Sequence, residues 1–290
     1  MTTTNPERRL RAVVFDWAGT TVDFGCRAPV DAFQRLFEWR GVPVAEADVR
    51  RFMGYDKREH LRAIMALPHV AARWEEVHGA LPGREDARRL YRALEQLLQA
   101  AVERFADPIP GVPELVGRMK ERGLSIGSTT GYIAGTMEVL APRARSLGYR
   151  PDVLVTPDEV PAGRPAPYMC YLNALRLQAY PMEALVKVGD TVADIREGRN
   201  AGMWTVGVAI GGSDLGLGQE QVDALPPDAL AEKVAVVQER HRETGAHFVL
   251  DRVDELEGIL DTIEETLAAG GHPALAGTHP ALAGSSEVLV

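Results

Sequence analysis

A chain of 290 residues with 46% hydrophobic and 25% charged side chains has the composition of an ordinary folded protein, long enough for one large domain or one domain with a second inserted in it. Its formal charge of −9 excludes a general nucleic-acid binder, which needs a basic surface to neutralise phosphates. The same charge means that any anionic substrate has to be drawn by a local cluster of cations.

Two cysteines, Cys26 and Cys170, make neither a disulfide framework nor a zinc site. The N-terminal "MTTTNPERRLR" lacks the apolar core of a secretory signal, and no apolar run is long enough to cross a bilayer; the expected location is the reducing cytoplasm.

The first expected element is a buried strand, "RAVVFD" (11–16), which stops abruptly at Asp16 and is followed by Ala18, Gly19, Thr20 and Thr21. From residue 27 to about 105 the pattern is a succession of helices with no clear strand: "PVDAFQRLFEWRG", "KREHLRAIMAL" and "EDARRLYRALEQLLQAAVERF". The stretch "ADPIPGVPELV", with its prolines and Gly111, suits a connector at which a different rhythm begins. "GVPELVGRMKERG" (111–123) places Val112, Leu115, Val116 and Met119 on one helical face and ends at Gly123. Further strands are expected at "LSIGSTT" (124–130), "DVLVT" (152–156), "LVKVGD" (185–190), "WTVGVAI" (204–210) and "AHFVLD" (246–251).

Strands alternating with helices imply parallel strands joined by right-handed crossovers. The expected fold class is therefore α/β, a doubly wound parallel sheet with a Rossmann-like core and an inserted all-helical cap. The expected division assigns residues 1–24 and 106–265 to the catalytic core, 25–105 to the cap and 266–290 to a disordered tail. That tail carries the repeat "GHPALAG" (271–277) and "HPALAG" (279–284), which has little to bury.

Open parallel sheets bind ligands at the carboxyl ends of their strands, and three such ends carry chemistry: Asp16, the pair Thr129–Thr130, and Asp190 with Asp194 four residues on. A single aspartate there is ordinarily a helix cap or turn former. Carboxylates gathered along one sheet edge repel one another unless a cation sits among them, and hard oxygen ligands favour magnesium. The combination points to a Mg²⁺ site facing an anion.

The segments "DWAGTT", "GSTTGY", "PAGRPAP" and "VGDTVADIREGRNAGMWTVGV" resemble the haloacid dehalogenase superfamily of aspartate-nucleophile phosphotransferases and, within it, the phosphonoacetaldehyde hydrolases, or phosphonatases. The resemblance spans about residues 11–260. It implies that Asp16 attacks phosphorus, that Asp16, the Ala18 carbonyl and Asp190 hold magnesium with Asp194 in support, and that Thr130 and Arg164 bind the phosphoryl oxygens. It also implies a homodimer formed through the caps, for which Phe33, Phe37 and Trp39 are candidates, although they serve equally well as cap core.

Two departures from the commoner superfamily pattern narrow the reaction. Ala18 stands where many ester phosphatases carry a second aspartate that protonates the leaving alkoxide, a contribution of roughly 10²–10⁴-fold; its loss is tolerable when the leaving atom is not oxygen. Arg164 stands where lysine is usual, and its fork suits a tetrahedral oxyanion while leaving no second amine to compete for an aldehyde.

If carbon leaves, a neighbouring aldehyde turned into an iminium can accept the electrons. "MGYDKREHLRAI" (53–64) supplies Lys57, spaced four and seven residues before Leu61 and Ile64, on or beside an apolar face where desolvation lowers an amine's pKa. A lysine taken at random would be solvated; its place in a stretch resembling the phosphonatase cap motif reverses that reading.

His60 shares the helical face and is either a proton relay or a packing group. Met53, Gly54 and Tyr132 are expected to shape the pocket, and Cys26 to pack near the cap junction or orient the substrate. The expected reaction is hydrolysis of phosphonoacetaldehyde to acetaldehyde and phosphate. The rivals are an ester phosphatase or phosphomutase on the same scaffold, and a phospho-acceptor receiver domain, which is much shorter and has no cap.

Overall fold

The computed structural model describes residues 9–276. Each of the six expected strands is present: β1 (Ala12–Phe15), β2 (Ser125–Thr129), β3 (Val153–Val155), β4 (Leu185–Gly189), β5 (Trp204–Val208) and β6 (Phe248–Leu250). They form one parallel sheet in the order β3-β2-β1-β4-β5-β6. Strand β1, "AVVF", lies between β2 and β4 and is wholly buried, as a strand covered on both faces must be.

The order reverses beside β1, where the chain leaves in one direction for β2 and β3 and returns on the other side as β4, β5 and β6. A crevice opens at such a switch point, beyond the carboxyl ends of the strands. Register sets what lines it. Phe15 is level with Ser128 on one side and Val188 on the other, so Asp16, Thr129 and Asp190 emerge along the same edge.

Five helices follow β1 over residues 27–104: α1 (Arg27–Trp39), α2 (Glu46–Arg50), α3 (Lys57–Met65), α4 (Pro68–His78) and α5 (Arg84–Arg104). They make the all-helical cap, with α5 packed along α1 and α3. Helix α1 starts at an aspartate-capped turn: the buried Asp23 carboxylate accepts hydrogen bonds from the Arg27 and Ala28 amides, satisfying donors that a helix N-terminus leaves open. Phe33 and Phe37 are buried in the cap core, whereas Trp39 is 70% exposed. A strap joins cap to core: the Arg50 guanidinium donates to the carbonyls of Gly25, Ser213 and Gly216 while pairing with Glu46.

The remaining helices flank the sheet: α6 (Val112–Glu121), α7 (Ala134–Ser146), α8 (Tyr168–Leu177), α9 (Val192–Ala201), α10 (Gln219–Ala224), α11 (Pro227–Glu243) and α12 (Leu256–Ala268). Expecting a tail from residue 266 is at odds with the structure at its start. Helix α12 runs on to Ala268, burying Ile263 and Leu267, and the first repeat copy folds into a turn whose Pro273 carbonyl lies 2.8 Å from His247 Nε2. The turn is held by that carbonyl and also buries Pro273, with Ala276 packed against the core. The second copy lies outside the described residues.

Candidate active site

Beyond the strand ends, Asp16, Asp190 and Asp194 converge, each offering a carboxylate oxygen within 4.8 Å of the others. All three are buried. Asp190 is held by Thr20 Oγ1 at 2.7 Å and the Ser213 amide at 2.8 Å. Close approach of the turn after β1 requires Gly19, which has φ +91° and on which a Cβ would stand 2.6 Å from Asp190 Oδ2.

Burial raises the pKa of Asp190 well above the ordinary carboxylate range, and the charges of Asp16 and Asp194 raise it further. Asp16 is raised by burial too, against the opposing pull of Arg164. Carboxylates pushed up in this way stay ionised once a cation joins them.

Behind this trio sits a buried network that the sequence reading did not foresee. Arg164 Nη2 donates to Asp16 Oδ1 (2.7 Å) and Thr129 Oγ1 (2.6 Å), Nη1 pairs with Asp194 (2.8 Å) and Nε donates to Glu197 (2.9 Å). Lys187, from the middle of β4, reaches Asp194 at 2.6 Å and Glu197 at 3.5 Å. Asp194 completes its shell with the Thr191 hydroxyl at 2.5 Å. Burial raises the pKa of Asp194, but Arg164 and Lys187 outweigh it and hold the group below its usual range.

Four carboxylates (Asp16, Asp190, Asp194, Glu197) thus face two cations, an excess of two negative charges that a divalent ion would cancel. The donor set, all carboxylate oxygen, fits magnesium.

On the other side of a small cavity the chemistry changes. Asp16, Ala18, Cys26, Met53, Gly54, Lys57, Thr130, Tyr132 and Arg164 line it together, so nine of the residues singled out from sequence share one enclosure. Its free volume is about 20 Å³, room for about one water. Lys57 opens α3, directly after Asp56, whose carboxylate caps the helix through the Arg58 and Glu59 amides. Its side chain is 5% exposed, with Nζ 5.2 Å from the centroid of the Tyr132 ring. Desolvation lowers the Lys57 pKa, and Asp16 only partly offsets this.

Cys26 Sγ lies 3.5 Å from the Ala18 carbonyl, and burial pushes its pKa well up, so it stays a thiol. The Tyr132 hydroxyl is buried without a hydrogen-bond partner among the described residues. Thr130 Oγ1 accepts from the Tyr132 amide at 3.1 Å.

The chain matches the haloacid dehalogenase-like hydrolase family over residues 10–202. It is 49% identical over 257 residues to phosphonoacetaldehyde hydrolases of Bacillus anthracis and Bacillus mycoides, covering 89% of this chain and 97% of each of those proteins. A solved structure of a phosphonoacetaldehyde hydrolase-like protein from Oleispira antarctica superposes with a TM-score of 0.90 at 36% identity, covering 94% of this chain and all of that one.

The chain belongs to the haloacid dehalogenase-like hydrolases.

As a hydrolase of this family, the enzyme shows where residue-by-residue reading stops. His60 does not line the cavity. Its Nε2 lies 2.8 Å from the Val49 carbonyl and its ring packs 4.3 Å from that of Phe33, while burial drives its pKa well below 6.5. Of the two readings of His60, these contacts are those of a packing group.

Lys187 and Glu197 are the residues that sequence reasoning missed. The signal was there for Lys187, a charge inside the otherwise apolar "LVKVG". Glu197 sits one turn after Asp194 on α9, where a charged helical residue carries no such mark, and its partners Arg164, Lys187 and Thr129 all come from other elements. Among the described residues no helix is long and apolar enough to cross a membrane.

Proposed function

We propose that this hydrolase cleaves the carbon–phosphorus bond of phosphonoacetaldehyde, giving acetaldehyde and phosphate, at the cavity between cap and core. The observation that carries this reading is a buried amine with a lowered pKa, Lys57, sharing one enclosure with Asp16 and with Ala18 at the position where an ester phosphatase needs an acid. The names of the 49%-identical relatives support it.

The Lys57 amine, whose charged form desolvation disfavours, adds to the aldehyde carbon, and loss of water gives an imine. Protonated, that imine is the electron sink. Asp16 attacks phosphorus, the C–P bond breaks, and its electron pair becomes the enamine rather than a free carbanion. Water then cleaves the aspartyl phosphate, the enamine takes up a proton, and hydrolysis of the imine frees acetaldehyde and Lys57. Net consumption is one water.

Arg164 has its Nη edge beside Asp16 and its Nε held by Glu197; with Thr130 at the cavity wall it meets the phosphoryl oxygens. Asp16, the Ala18 carbonyl and Asp190 would hold Mg²⁺, with Asp194 fixed in support by Lys187 and Thr191; the ion supplies positive charge for the phosphoryl oxygens. Met53, Gly54, Tyr132 and Cys26 shape the aldehyde side, and the Cys26 thiol steadies the Ala18 carbonyl. Cap and core are units that part to admit substrate, since about 20 Å³ cannot hold it. The enzyme works in the cytoplasm as a homodimer joined through its caps, for which Trp39 is the exposed aromatic and Phe33 and Phe37 are not available; Trp39→Glu should halve the sedimenting mass.

Incubation with phosphonoacetaldehyde and Mg²⁺ is expected to release acetaldehyde and phosphate in equal amounts, and borohydride to label Lys57. Brisk hydrolysis of phosphate esters with no acetaldehyde would sink the reading.

A further inference from the structure

A second hollow lies against the cavity. It is a groove of about 700 Å³ between the cap segment Arg50–Tyr55 and the core helices α9 and α11. Four arginines line it, Arg50, Arg51, Arg196 and Arg240, against two carboxylates, Asp214 and Glu243. Arg50 is spent on the strap and on Glu46, and Arg240 pairs with Asp214 at 3.1 Å.

Arg51 and Arg196 differ. Both are exposed, and among the described residues neither has a carboxylate partner. Arg51 lies 5.7 Å over the Phe52 ring. The groove is thus a positive feature on a chain of net charge −9, whose overall field repels the dianion that the proposed reaction consumes and the phosphate that it releases.

Met53 and Thr191 line both the groove and the catalytic cavity. The wall between the two hollows is one thin seam. Gly54, at φ +84°, rests on Thr191 so closely that a Cβ there would meet Thr191 Oγ1 at 2.3 Å and the Ala193 methyl at 2.9 Å. No side chain stands between the cap backbone and the start of α9 at that point, so a small outward shift of this cap loop joins the hollows. The catalytic cavity, with space for about one water, has to open somewhere to take in a substrate.

We propose that this arginine groove is the anion port of the enzyme: Arg51 and Arg196 collect the phosphonate dianion at the cap–core seam, and inorganic phosphate leaves by the same route. The proposal deepens the reading of the site as a phosphonate hydrolase and rests on it for the identity of the anion.

The test is Arg51→Gln/Arg196→Gln, compared with Arg92→Gln/Arg145→Gln. The control changes net charge equally at two exposed arginines that lie outside the groove. Charged clefts raise association rates by roughly 10–10³-fold, an effect that salt removes. The groove variant is expected to lose about tenfold in kcat/KM at low ionic strength, to keep its kcat, and to converge with wild type at high salt; the control should stay within about twofold. Groove and control variants that coincide at every salt concentration would overturn the port.

Exchange of inorganic phosphate in the presence of Mg²⁺, followed by phosphorus NMR, reads the same association step with no assumption about substrate. An enzyme that released no acetaldehyde, yet showed slowed phosphate exchange in the groove variant alone, would lose the carbon–phosphorus reading and keep the port. Normal exchange in an enzyme that does release acetaldehyde would do the reverse.

Discussion

Lys57 and Lys187 are both buried lysines of one active site, and their pKa values move in opposite directions. Lys187 on the core side is pushed down by burial and by Arg164, but Asp194, Glu197 and Asp16 more than reverse this and leave its pKa raised. Lys57 on the cap side is pushed down by burial, and nothing near it makes up the loss. Its largest aid is Cys26, which is itself held as a neutral thiol, and then Asp16, which is engaged by Arg164.

The difference lies in partners, since burial is the same. The core side closes each charge with an opposite one and so presents fixed, permanent charge to an anion. The cap side withholds partners and so leaves a buried amine with a lowered pKa. The two sides of one cavity differ because they were built from different elements.

The largest way to break this comparison is to remove the amine. Lys57→Ala is expected to lower acetaldehyde release by at least about a thousandfold, the scale on which loss of a covalent nucleophile acts, with magnesium-dependent phosphate binding preserved. Asp16→Asn should lose activity on the same scale yet still yield a borohydride-trapped Lys57, which separates the two halves of the site. Trapping in both variants, read by mass spectrometry, checks the assignment.

Truncating each lysine to methionine should move stability in opposite senses. Lys187→Met takes from Asp194 and Glu197 one of the two cations that face them, leaving Arg164, and is expected to cost about 3–5 kcal/mol in urea unfolding, as breaking one side of a buried pair does.

Magnesium sharpens the same contrast. Asp16 and Asp190 have folded pKa values raised above their unfolded ones, so their contribution is fully present below the unfolded pKa near 4 and is lost as pH climbs through the folded values. Metal-free protein should therefore melt earlier at pH 8 than at pH 5. Saturating Mg²⁺ should restore most at pH 8, by about 2.7 kcal/mol at a hundredfold excess over its dissociation constant. A scan of Tm against pH with and without chelator reads this; equal gains at both pH values would count against the carboxylate trio as the metal site.

The smallest expected effect is a gain. Lys57→Met relieves an unpaired buried amine and should add about 1 kcal/mol to unfolding stability, even as it abolishes catalysis. A loss of stability there would mean that Lys57 is paired after all.

Periodicity carried the fold far. The six strands were legible because each is a short apolar run between breakers, and α1, α3 and α5 because their apolar residues recur at helical spacing. Strand order was not legible: nothing local in "VVF" or "LVKVG" says that β1 and β4 pair, and that pairing is what brings Asp16 to Asp190.

In the site, residues with a motif around them were found, and those whose meaning lies in a distant partner were missed. Thr129 and Thr130 make the point. They are adjacent in sequence, yet alternation turns Thr129 toward Arg164 and Glu197 and Thr130 toward the cavity, so only one of the pair lines the cavity.

Arg50 carries a consequence for modularity. A single guanidinium from the last residue of α2 closes on three carbonyls, one at the exit from the β1 turn and two in the loop after β5, so the cap is fastened at a point where the core backbone has been shaped to receive it. A cap grafted onto this core will seat only if the incoming helix brings an arginine to that position, and this cap moved to another core needs a host loop that offers the same three oxygens. Graft and socket have to travel together.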